Sequence, residues 1–293
     1  MNYRISNGEL TVEISSIGGE FQSVKDKDGR EYLWQGDEAT WKRKGPTLFP
    51  YIGRMTEKSY TYSGKKYNMD IHGFLPNAEM ELVEKKEDLL TLGLLNSPET
   101  EKQYPFAFAL YITWKLEGQK LLISMRVENK DEKTMYFGIG GHPGFQVPFE
   151  AGLSFEDYRI DFGPDAELVQ QDLSDDCFVL ESDRPLELAQ GRYLNLRHDL
   201  FDNDAIVLNR TPKEVSISSE KGKKEIRVAF EWDNLGIWHW AHAEVNYVCI
   251  EPWSSLPSRK NIVEDLETQP GLLSLDAGKV YETVWSVSVG EKQ

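Results

Sequence analysis

Four ionisable side chains lie in stretches that are otherwise apolar or rich in glycine, and together they have the makings of acid–base chemistry. His142 lies in YFGIGGHPGFQVP, Glu251 in NYVCIEPWSSLP, His72 in NMDIHGFLPN and Arg54 in TLFPYIGRM. If the first stretch is extended, Gly138, Gly140 and His142 share one face. Two positions without side chains then leave an empty space beside a proton-transfer group, and Pro143 biases His142 toward an extended backbone that fixes its ring. In the second stretch Val248 and Ile250 take one face and Tyr247, Cys249 and Glu251 the other. A carboxylate at such a strand end, followed by Pro252, is partly desolvated, which raises its basicity toward the range useful at neutral pH.

Each of these residues also has an ordinary structural explanation. GGHPG reads as a glycine-rich turn with an incidental histidine, Arg54 and Glu251 as charges closing apolar strands, and His72 before Gly73 as a turn residue. His198, in LRHDLFDND, and His239 and His242, in GIWHWAHAE, read as loop or structural residues, with His239 also a candidate to line a pocket beside Trp238. Other chemistries find less support. The chain has no G-x-S-x-G, no G-x-x-x-x-G-K-[ST] and no H-E-x-x-H. GIGGHPG lacks a following helix and is not read as a nucleotide loop. A cupin-like metal site on His72, His142 and Glu251 lacks the usual close H-x-H pair, so no metal is expected.

The elements that must position these groups read as strands. Period-two alternation places Leu10, Val12 and Ile14 on one face, then Phe108, Leu110, Ile112, Trp114 and Leu116, then Ile123, Met125 and Val127. It returns at Val215 and Ile217, at Ile226, Val228, Phe230 and Trp232, and at Trp285, Val287 and Val289. Turn signals such as DKDGR, YSGKK, LEGQK and SEKGKKE separate these runs. Helical spacing is sustained only in short acidic or loop-like pieces around 162–175 and 262–267. The expectation is an all-β protein with many antiparallel strands. No linker or repeat divides the chain, so residues 1–293 are read as a single large β-sandwich domain.

Composition limits the partners. The formal net charge is −16, from 49 acidic against 33 basic residues over 293 positions. Neither nucleic acid nor an anionic membrane is expected as a partner, since both demand a cationic face. MNYRISNGELTVEI shows no export signal, and no apolar run reaches spanning length, so a cytoplasmic protein is expected. Cys177 and Cys249 are too few for a disulfide framework and have no metal-ligand spacing. Oligomeric state has no signal here.

Seven blocks in order, EYLWQGDEATW, GPTLFPYIGRM, YSGKKYNMDIHGF, YPFAFALYITWKL, MYFGIGGHPGFQVP, LFDNDAIVL and VCIEPWSSLP, span nearly the whole chain. Together they resemble the aldose 1-epimerase (galactose mutarotase-like) family, in its LacX-like branch. The resemblance implies a large antiparallel β-sandwich, the galactose mutarotase-like supersandwich, with a sugar site on a concave face. It implies that His142 is the general acid and Glu251 the general base, and that His72 and Arg54 hold and polarise the sugar ring. An aspartate of FDNDAIVL orients sugar hydroxyls; spacing favours Asp204, with Asp202 left open. Relatives in this branch often carry arginine where Pro76 stands, a departure that bears on substrate range.

The reaction so implied interconverts the α and β anomers of a free aldose. A base removes the anomeric hydroxyl proton while an acid protonates the ring oxygen, C1–C2 rotates, and closure reverses the transfers. An imidazole and a carboxylate on opposite sides of the ring suffice, and no cofactor is needed. Trp34, Trp238 and Trp253 offer flat apolar surfaces for sugar C–H faces, with core packing the alternative for each. Two other readings keep the same fold. One is a hexose-6-phosphate 1-epimerase, which needs a cationic cluster for which Lys42, Arg43 and Arg259 are candidates. The other is a non-catalytic carbohydrate-binding protein.

Overall fold

A computed structural model describes residues 1–292, with strands from Asn2–Ser6 through Val280–Glu291. Two large sheets dominate. The nine-stranded sheet has the spatial order Tyr193–Asn195, Tyr158–Asp161, Glu214–Ser219, Lys224–Ala229, Val280–Glu291, Lys120–Asn129, Phe108–Glu117, Leu89–Leu95, Glu81–Lys85. Its strands carry the clearest alternation. Phe108, Leu110, Ile112, Trp114 and Leu116 are buried, while Lys115 and Glu117 face water. On the neighbouring strand Leu121, Ile123, Met125 and Val127 are buried and Ser124 and Arg126 exposed. The pairing register joins Trp114 to Ile123 and Ile123 to Trp285, so apolar side chains stack across three strands on one face.

The eight-stranded sheet runs Val179–Leu186, Leu168–Leu173, Ile206–Asn209, Asn234–Trp238, Tyr247–Trp253, Gly140–Gly141, Thr47–Leu48, with Gly144–Gln146 also paired to Tyr247–Trp253. Its edge strand Val179–Leu186 is largely exposed, but its centre is buried evenly; all seven residues of Tyr247–Trp253 are out of water. One core cluster takes Leu235, Ile237, Val248 and Ile250 from this sheet and Leu110, Ile112, Ile123 and Trp285 from the other. The Trp285 ring lies where a side chain on Gly141 would stand, with Cζ2 at 2.5 Å from that position, so the two sheets touch there because Gly141 has none.

The turn signals act as their residue types require. Ser63 and Gly64 both take positive φ (49° and 72°) between Ser59–Tyr62 and Lys65–Asn68, the two-residue turn that suits antiparallel twist. The helical pieces expected around 162–175 and 262–267 are not helical. Leu168–Leu173 is instead a strand paired on both sides, because its backbone groups find partners in Val179–Leu186 and Ile206–Asn209. Pro98–Glu101 is the only α-helix among the described residues, and none of these residues form a helix long and apolar enough to cross a membrane.

Candidate active site

Tyr247–Trp253 presents Tyr247, Cys249 and Glu251 on one face, as the alternation predicts, while Val248 and Ile250 point into the main core. Gly236 is opposite Glu251 in the register, and Gly140 is opposite Trp253. His142 leaves the short strand Gly140–Gly141, its N–H held by the Pro46 carbonyl at 3.0 Å. These neighbours open onto one cavity of ≈ 800 Å³ whose walls include Arg54, His72, His142, Asp204, Trp238 and Glu251. All six residues singled out for catalysis and substrate binding therefore meet in one place.

The core of the site is a buried contact between a histidine and a glutamate. His142 Nε2 lies 3.2 Å from Glu251 Oε2, with Glu251 only 1% exposed and His142 8%. Burial holds the Glu251 carboxyl well above the usual carboxylate range, helped by the charge of Asp204. Burial drives the His142 imidazole well below its ordinary value, with a smaller push from His72. Both shifts favour the neutral forms, as expected for groups removed from water. The two groups stand side by side in the wall of the cavity.

His72 is fixed from its own backbone. Its N–H donates to the Gly53 carbonyl at 2.9 Å, and its Nδ1 accepts from the Gly53 N–H at 3.1 Å. An accepting Nδ1 puts the ring proton on Nε2. Burial lowers its pKa to about 3, aided by Arg54 and Arg43, so the ring is a neutral N–H donor. The ring meets that of His142 edge-on, with centroids 5.4 Å apart. Arg54 is exposed, and its Nη1 donates to the Asp176 carbonyl at 3.2 Å. Asp204 lines the cavity, whereas Asp202 pairs with His242 at 3.1 Å on the surface; the geometry thus separates the two aspartates that spacing left open.

Several expectations change. Gly138 and Gly140 leave no hollow for a ligand: side chains there would meet Ser255 Oγ at 2.4 Å and the Pro252 carbonyl oxygen at 2.6 Å, with Ile52 against both. The protein itself fills that space. Trp34 packs on Tyr247 with ring centroids 4.7 Å apart and is not part of the cavity wall, unlike Trp238 and Trp253. His239 is fully buried among Phe155, His198 and Phe201 and does not line the cavity, because it follows Trp238 by one residue and points the other way. Its own pKa is lowered to about 4 by burial.

The sequence reasoning passed over Trp41 and Cys177. Trp41 stacks on His142 at 5.0 Å between centroids, 27° from parallel, and it reaches there because Gly144 has no side chain in its path. It lies in a loop, where no periodicity marks it. Of the three cations weighed for a phosphate, Arg259 is held by both oxygens of Glu264 at 2.9 and 2.8 Å, and Arg43 is bound to Glu20 at 2.9 Å and to the Pro76 carbonyl at 3.0 Å. Neither Lys42 nor Arg259 lines the cavity.

Known proteins resemble this chain over nearly its whole length. The aldose 1-epimerase family model matches residues 1–268. The plasmid-encoded LacX protein of Lactococcus lactis subsp. lactis is 32% identical over 291 residues, covering 95% of this chain and 97% of its own length. The structure of a galactose mutarotase related enzyme from Lactobacillus acidophilus superposes with a TM-score of 0.94 at 34% identity, over 99% of this chain and 98% of the other. A galactose mutarotase-like protein from Lactobacillus casei gives 0.93 at 29% identity, over 99% and 100%. The chain therefore belongs to the aldose 1-epimerase family of isomerases.

Proposed function

We propose that this protein interconverts the α and β anomers of a free aldose by acid–base ring opening and closure, with Glu251 as the base and His142 as the acid. The observation that supports the reading is the buried contact of 3.2 Å between the two groups in the wall of a cavity of ≈ 800 Å³. A pair with one proton between them is what the reaction needs. That proton starts on the Glu251 carboxyl, given the directions in which burial moves the two groups. Its passage to His142 Nε2 gives a carboxylate beside an imidazolium. The carboxylate then takes the anomeric hydroxyl proton, C1=O forms as the bond from C1 to the ring oxygen breaks, and the imidazolium protonates that oxygen. Rotation about C1–C2 and the reverse transfers close the other anomer.

The remaining groups hold the ring. The His72 N–H and the Arg54 guanidinium donate to the ring-oxygen side, where negative charge develops. Asp204 accepts from sugar hydroxyls, and Trp41, Trp238 and Trp253 offer apolar faces to ring C–H groups. The reading takes a free rather than a phosphorylated sugar, because Arg43 in the cavity wall is already engaged by Glu20 and Arg259 lies outside that wall. The test is polarimetry on freshly dissolved α-glucose and α-galactose and on their 6-phosphates, with and without protein. Acceleration of the free sugars above the spontaneous rate is expected. Binding without acceleration would make the protein a carbohydrate-binding one, and acceleration confined to the phosphates would move the assignment to a phosphosugar epimerase.

A further inference from the structure

The turn between Leu168–Leu173 and Val179–Leu186 hangs over the cavity and touches two of its binding groups at once. Its backbone is closed on itself: the Ser174 N–H donates to the Phe178 carbonyl at 2.9 Å and the Cys177 N–H to the Ser174 carbonyl at 2.7 Å. Ser174 Oγ donates to Asp176 Oδ1 at 2.7 Å and accepts from the Phe178 N–H at 3.1 Å. Lys260 holds the Asp176 carboxylate from a separate loop, with Nζ 2.5 Å from Oδ2. Arg54 donates to the Asp176 carbonyl at 3.2 Å. From this fixed frame Cys177, at φ 67°, aims its thiol at Asp204 Oδ2, and both residues line the cavity.

We infer that Cys177 is the positioning residue for Asp204, donating its S–H to one carboxylate oxygen so that the other is presented to a sugar hydroxyl. The inference rests on the reading of the cavity as an aldose site. Asp204 Oδ1 has no protein donor among the described residues, which leaves it for a ligand. The carboxylate needs such a tether. Asp204 sits at φ 70° in the segment leading into Ile206–Asn209, and the thiol is the one side chain seen to hold it. Burial and the neighbouring carboxylate push the thiol up to about 12, so it remains a protonated donor at neutral pH. Cys177 touches no reacting atom and acts only through Asp204.

The experiment compares Cys177→Ala, Cys177→Gly, Cys177→Ser and Asp204→Asn with the parent by polarimetry, on α-glucose and on its 2-, 3-, 4- and 6-deoxy derivatives. Loss of one hydrogen bond to a charged group should raise KM about tenfold in the Ala and Gly variants, with kcat largely retained. Ser keeps a donor in place and should restore KM. The deoxy sugar that the parent penalises through Asp204 should lose its penalty in Asp204→Asn and most of it in Cys177→Ala. Glycine tolerates positive φ better than cysteine, so a KM loss in Cys177→Gly cannot come from backbone strain, and that variant also serves if the alanine one fails to fold. Parent-like KM and deoxy profile in Ala and Gly, with Asp204→Asn impaired, would overturn the positioning role and leave the aldose site standing. A parent protein that accelerates no aldose would overturn both.

Discussion

The nine-stranded and eight-stranded sheets share one core but treat their polar groups differently. Along Phe108–Glu117 and Lys120–Asn129 charged side chains alternate outward into water, where Lys115 meets Glu117 and Arg126 meets Glu282. Along Tyr247–Trp253 the ionisable residue points into a cavity lined by rings, and neither face is open to water. Water solvates the first set of charges, and such pairs add little to stability. Removal from water displaces the second set, raising the Glu251 carboxyl and lowering the imidazoles of His142 and His72. Both sheets thus send apolar side chains into the shared core, while only the eight-stranded sheet also keeps ionisable side chains out of water beside a cavity.

Substitutions should separate the two roles, and the largest effect belongs to the pair itself. Glu251→Gln and His142→Asn should each lower kcat by roughly 10²–10⁴-fold while sugar binding, read by calorimetry, stays close to the parent's. Retained turnover in either would remove that residue from proton transfer. On the other sheet, Trp114→Ala should cost about 3–5 kcal/mol in chemical denaturation, as expected for a large ring lost from a core. The kcat of the folded fraction should not change, and a matching fall would mean that the two sheets are not separable in this way.

The titrating groups give two smaller effects. The rate should be bell-shaped in pH, because the proposed mechanism needs one proton on the His142–Glu251 pair; the limbs belong to the pair and not to either residue. Stability should decline as pH falls below about 6.5. His239 and His72 are neutral in the fold, with values lowered to about 4 and about 3, so the unfolded chain takes up their protons first. Their contribution is complete above the unfolded value and shrinks toward the folded one, by up to about 1.4 kcal/mol per pH unit for each group. Glu251, raised by burial, works in the opposite sense: its contribution is present at low pH and lost as pH rises through its folded value. His239→Gln should flatten the acid slope in melts between pH 7 and pH 5; an unchanged slope would mean that the histidine is not held neutral. The smallest effect is expected for Ser124→Thr on the wet face, within about 0.5 kcal/mol of the parent.

The two sheets also differed in how much their sequences disclosed. Leu121, Ile123, Met125 and Val127 alternate with polar residues because water lies on one side, and that contrast is readable in a single strand. In Tyr247–Trp253 the same alternation told faces apart but could not say which face held a cavity, since both are buried. Leu168–Leu173 was hidden for a related reason: its strand identity comes from partners on both sides and not from its own pattern. Trp41 and Cys177 sit in loops, so what they touch depends on chain segments far away in sequence.

By itself the sequence determined the all-β character and the faces of the outer strands, which follow from local rules of side-chain period and residue type. The choice of His142 and Glu251 as the acid–base candidates came from the resemblance carried by the ordered blocks. Tertiary structure decided that His142 and Glu251 stand side by side, that Asp204 and not Asp202 faces the cavity, and that Ile52 and Ser255 occupy the room beside the glycines. It also decided how strongly burial moves each titrating group. Distances between remote residues, and the water excluded between them, exist only once the chain has closed on itself.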